Sequence, residues 1–291
     1  MKKGAKFQKG FTLIEIAFVV LIISIMLGAT LSLISKQQEV SRYKAADREM
    51  DEIIDTIIGF AQINSRLPCP ASITSAGAES FNASPTNCSN YGGFVPVNTL
   101  GINGRLNAAT LLLDPWGNPY RYYISSSDAN DDGNADFTFS GQIQEIGLAD
   151  NWDVATDPLN PAEGSDTIID LDGQFVICDA AASTAVSICD VGVNTVFGNP
   201  SGAQGPYQGA IVVLLSTGKN GNQTPAGDEL ENRGSTPAGQ YFLKNNSIVV
   251  GVRETVFVKR TTGFADDFDD IVKWISPSTL FSKMIEAEQL P

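Results

Sequence analysis

Apolar and polar positions divide the chain into three stretches of different character. Residues 1–10, MKKGAKFQKG, carry four lysines (Lys2, Lys3, Lys6 and Lys9) and no acid. Residues 11–34 are apolar almost throughout, with Glu15 the one charged residue among them. As a helix these 24 residues would extend about 36 Å, against roughly 30 Å for the hydrocarbon core of a bilayer. The lysines ahead of the run orient it with its start in the cytoplasm, and the run is longer than the apolar region of a secretory signal. The pattern then becomes amphipathic. Val40, Tyr43, Met50, Ile54, Ile57 and Ala61 recur at helical spacing with Asp47 interrupting them, which predicts one helix continuing to about Asn64 with a face for a sheet. Pro68 and Pro70 end it, because neither can continue a helix.

After residue 70 the chain is rich in Gly, Asn, Ser, Thr and Pro, with β-type runs at 120–125, 167–171, 174–178, 210–216 and 247–259. Short runs bounded by turn residues predict a mostly antiparallel sheet with long loops. At the end, Ser276-Pro277 supplies an N-cap and a first-turn proline, and Leu280, Phe281, Met284 and Ile285 share one face of a second helix. The predicted class is α+β: a long N-terminal transmembrane and stem helix packed on a β-rich head. The expected organisation is a leader at 1–10, a helix at 11–64 with 11–34 in the membrane, and a head at 65–291.

Composition narrows the chemistry. With 19 Lys and Arg against 33 Asp and Glu, the formal charge is −14, so no nucleic-acid partner is expected. The chain has no His, which removes Ser-His-Asp and Cys-His catalysis and every His-ligated metal. Paired carboxylates suffice for glycoside hydrolysis, but the acids here gather in Asp/Asn/Gly loops, where solvation and metal binding explain them. No enzyme is expected. Cys69, Cys88, Cys178 and Cys189 read as two disulfides of an oxidising compartment. Pairing neighbours, Cys69 with Cys88 and Cys178 with Cys189, closes short loops worth about 3 kcal/mol each in the loop-entropy picture.

The junction Gly10-Phe11-Thr12-Leu13-Ile14-Glu15, behind a basic leader and opening an apolar run, resembles the cleavage and methylation motif of type IV pilins and type II secretion pseudopilins. The resemblance implies that a prepilin peptidase of the inner membrane cuts between Gly10 and Phe11 and methylates the new amine. It also implies a single-pass inner-membrane protein with a periplasmic head, taken up by inner-membrane assembly machinery into a periplasmic or cell-surface filament of like subunits. Physical chemistry supports a role for Glu15. A lone carboxylate or amine is costly in hydrocarbon while the pair is tolerable, so the Phe11 amine of one subunit can meet Glu15 of another.

Two loops are candidate calcium sites. Asp128, Asn130, Asp132, Asn134 and Asp136 alternate around Gly133, the spacing by which hard oxygens wrap Ca²⁺; an Asx-rich turn is the alternative. The segments 216–221 and 269–274 are similar to the C-terminal calcium loop of the major pseudopilin, which makes Asn220, Asp269 and Asp270 a weaker second ligand set. Asp114-Pro115-Trp116-Gly117-Asn118-Pro119-Tyr120 resembles a turn of the same protein and is expected to be structural, carrying Trp116 into the core. The expected function is a structural subunit of a type IV pilus-like or pseudopilus filament, of minor or tip type. The alternative is an adhesin or binding protein on the same stalk.

Overall fold

The structure, a computed structural model, describes residues 11–82, 87–127, 134–144, 173–180, 189, 195–198, 209–225, 228–233, 236–238, 241–243, 256–260 and 268–290, with only the backbone at 27–36, 231, 236–238 and 241–243. The chain forms two compact units, 1–45 and 46–291. Helix α1, Leu13–Asn64, contributes to both.

In the first unit α1 is a bare helix. Every large apolar side chain described from Phe11 to Met26 is exposed, from Leu13 at 90% to Ile23 at 49%. Among the described residues no helix is long and apolar enough to cross a membrane. The transmembrane stretch expected over 11–34 is therefore not found among them, because it runs into residues 27–36, whose side chains lie outside the description.

The second unit is built on a four-stranded antiparallel sheet in the order β1 (Gly92–Phe94), β2 (Arg121–Ile124), β5 (Val212–Ser216), β9 (Ile271–Ile275). A second sheet has β3 (Val176–Cys178) between β4 (Thr195–Phe197) and β8 (Val256–Val258); β3 and β8 run parallel. A two-stranded hairpin pairs β6 (Thr236–Ala238) with β7 (Tyr241–Leu243). Short helices α2 (Val97–Leu100) and α3 (Asp228–Arg233) lie in the connections, and α4 (Pro277–Glu286) follows β9 directly.

Strand alternation explains the layering. Val212 and Leu214 pack with Met50, Ile53, Ile57 and Ala61 of α1 and with Leu280 and Met284 of α4. Val213 and Leu215, on the opposite face of the strand, pack with Phe175, Ile177 and Phe257 of the second sheet. A strand covered on both faces reads as an unbroken apolar run, which is what residues 210–215 show. Of the amphipathic stripe expected on α1, Tyr43, Met50, Ile57 and Ala61 are buried, but Val40 is exposed and Ile54 only half-buried, and Ile53 and Ile58 join the core beside them. The stripe's interruption is resolved at the sheet edge, where Lys273 of β9 bonds Asp47 Oδ1 at 2.9 Å and also Asp51.

The cap of α4 forms as expected: Thr279 N donates to Ser276 Oγ, with Pro277 in the first turn. Leu280, Phe281 and Met284 are buried, but Ile285 is 46% exposed. The disulfides join Cys69 to Cys88 and Cys178 to Cys189. Strands β2, β3, β5 and β8 lie within the runs marked at 120–125, 174–178, 210–216 and 247–259, while the run at 167–171 lies outside the described residues.

Candidate functional site

At the N-terminus the local sequence makes its own helix cap. Thr12 precedes the first residue of α1, and its N–H and hydroxyl donate to Glu15 Oε2 at 3.4 and 3.5 Å. Glu15 N–H donates back to Thr12 Oγ1 at 3.4 Å. Thr-x-x-Glu is the capping-box spacing, in which each side chain satisfies a backbone donor that the helix start leaves unpaired. Glu15 therefore caps the start of its own helix. Phe11 is exposed, and Gly10 lies outside the described residues.

In the head, two segments that are far apart in sequence lock together. Asp114 Oδ1 accepts from the N–H groups of Trp116 and Asn118 at 3.0 and 2.9 Å, which closes the turn, and Oδ2 accepts from Ser216 Oγ at 2.7 Å. Asn118 Nδ2 donates to the carbonyl of Gly218. Gly117, with φ of 95°, occupies a conformation that side chains resist. The turn is structural as expected, with one correction. Trp116 is only half-buried, and the aromatic delivered to the core is Tyr120, at 1% exposure. Burial raises the Asp114 pKa against the lowering effect of these hydrogen bonds.

The segment so anchored, 217–220, forms one wall of a buried polar cluster that includes Asn220, Asp269 and Asp270. The structure brings these three together and adds two residues that the sequence did not single out, Glu229 and Arg233 of α3. Carboxylate oxygens of Glu229, Asp269 and Asp270 all lie within 4.8 Å of one another. Arg233 is among them, fully buried. Its Nη2 donates to Asp270 Oδ1 at 2.8 Å, to the Thr217 carbonyl at 2.9 Å and to Asn220 Oδ1, and its Nε reaches Asp270 Oδ1 at 3.1 Å. Asn232 bridges β8 and the cluster, donating to the Val258 carbonyl at 3.0 Å and Asp270 Oδ2 at 3.1 Å.

Three carboxylates stand around the Arg233 guanidinium, and a second buried guanidinium, Arg121, lies near enough to interact with Asp270 and Arg233. Burial first, and then the Glu229 carboxylate hydrogen-bonded to it, push Asp269 up to about 7 against the pull of the Asn220 N–H. Burial pushes Asp270 up to about 6 even though Arg233 pulls it down. Of the other expected loop, Asp128, Asn130 and Asp132 lie outside the described residues. Asn134 is half-buried, and Asp136 is fully buried with its N–H on the Ser127 carbonyl at 2.8 Å.

A long helix with an exposed apolar start precedes a disulfide-bonded α+β head. The comparisons bear on the stem. A family model described as the prokaryotic N-terminal methylation motif matches residues 5–31. This is the signature of type IV pilins and pseudopilins, and the match takes in Gly10, Phe11 and Glu15. No curated protein and no solved structure matches the chain.

Proposed function

We propose that the protein is a minor or tip subunit of a type IV pilus-like or type II pseudopilus filament. It is held by its N-terminal helix in the inner membrane, with the head on the periplasmic side, until a prepilin peptidase cuts at Gly10–Phe11 and the assembly machinery inserts it. The observation that carries this reading is the methylation motif at 5–31 opening a helix whose first turns expose apolar side chains all round. A helix that is apolar on every side needs lipid or other helices around it, and a filament core supplies the same kind of environment as the bilayer. The large head with its long loops favours a specialised subunit over a repeated one. Calcium bound in the loop containing Asp128, Asn130, Asp132, Asn134 and Asp136 would stabilise that head, by the alternating oxygens of the loop.

Glu15 gives the test. With Glu15→Ala the chain should still be cut after Gly10, since the substituted side chain lies five residues beyond the cut, yet be depleted from filaments. Quantifying processed protein in filament and membrane fractions checks this, and unchanged incorporation would defeat the pairing of Glu15 with a neighbouring amine.

A further inference from the structure

The donors around Arg233 are those a hard cation would choose. They comprise carboxylate oxygens of Asp270, Glu229 and Asp269 at 2.8, 3.5 and 3.6 Å from Nη2, the carbonyls of Thr217 and Asn220, and the Asn220 side-chain oxygen. Calcium takes just such a set of carboxylate, amide and backbone oxygens. Here Asp270 Oδ1, both backbone carbonyls and the Asn220 side-chain oxygen accept from a flat guanidinium whose side chain has no exposed surface, while Asp269 Oδ1 stands beside it without a hydrogen bond. An ion entering the cage would have to displace that group, leaving a buried cation without its partners, and an uncompensated buried charge is strongly destabilising. The residues present therefore do not fit a metal ion.

We propose that Arg233 is the resident cation of this cage and performs the structural task that a divalent ion performs in an oxygen-lined loop. The connectivity explains how. Arg233 sits on α3 and ties it to the 217–220 loop and to Asp270, which leads into β9. Asn232 on the same helix exchanges two hydrogen bonds with the Val258 backbone, its Oδ1 accepting from the Val258 N–H at 2.6 Å. Arg260 pairs with Asp228 at the start of α3 at 2.7 Å. One short helix thus carries its own cation into the gap between β5, β8 and β9 and stitches both sheets there. The tie cannot be lost to a chelator or to low calcium. The cage becomes a metal site only when the guanidinium is removed.

Counting bound calcium tests this on the full-length chain in detergent micelles, stripped of metal and equilibrated with Ca²⁺. Asp269→Asn in the otherwise intact chain should leave the count unchanged, whereas Asp132→Ala should remove the ion assigned to the Asp128 loop. Arg233→Ala should gain an ion and, in chelator, lose thermal stability that calcium restores; adding Asp269→Asn to it should cancel the gain. Loss of an ion on Asp269→Asn alone would overturn the proposal, as would a folded Arg233→Ala that gains none. Where Arg233→Ala does not fold, the Asp269→Asn count decides by itself.

Discussion

Arg233 and Asp270 form a pair with no exposed side-chain surface on either partner, and burial raises the pKa of Asp269 and Asp270 above the ordinary carboxylate value. That has a consequence for stability. The folded pKa of Asp269, about 7, lies above its ordinary value of 3.8, and that of Asp270, about 6, does likewise. The native state therefore binds protons that the unfolded chain releases. Their contribution is most favourable below the unfolded value and is lost as pH rises through the folded values. The thermal midpoint of the head should accordingly fall between about pH 4 and pH 7, the window between the unfolded and folded values. Asp269→Asn should flatten that slope, and a midpoint scan against pH in both proteins checks it. An equally steep slope in the variant would count against Asp269 as a source. Of this cluster, Asn220, Asp269 and Asp270 were singled out only through the resemblance of their segments to a calcium loop of the major pseudopilin. Arg233 was not, although Glu229 and Arg233 stand four apart in DELENR. That spacing suits a solvated helix face equally well, and nothing local shows that the face is buried against two sheets.

The long helix was the most legible element, because its periodic positions and the prolines that end it are local signals. Met50, Ile57 and Ala61 are at 0% exposure, while Val40 of the same assigned stripe is exposed and Ile54 half-buried, so the buried face is shifted toward Ile53 and Ile58. Ile57→Ala removes a side chain packed in this layer and should cost about 2–5 kcal/mol. Urea unfolding of the full chain followed through the head would show the shift, and a cost below about 1 kcal/mol would contradict close packing at that position. Strand β9 was less legible. The segment 269–274 resembled a ligand loop, yet from Ile271 it is the edge strand of the main sheet. Its Lys273 does not break the strand because α1 supplies Asp47 and Asp51 beside it. Edge strands commonly carry such a charge, which discourages pairing with another chain. The stripe's interruption at Asp47 and the lysine in β9 are thus two halves of one contact, joined across more than two hundred residues. No window of sequence spans that distance.

The molecule as a whole joins a stem that carries the methylation motif to a disulfide-bonded head. The chain is acidic, at −14, and four of its 19 basic residues, the lysines ahead of the motif's Gly10, would leave with the leader. Whether that leader is removed decides the reading. Intact mass with N-terminal sequencing, on native protein from sheared filaments and from membranes, should find a chain beginning at methylated Phe11 in the filament fraction. A chain still beginning at Met1 in both fractions would contradict the filament function and leave an anchored binding protein in its place.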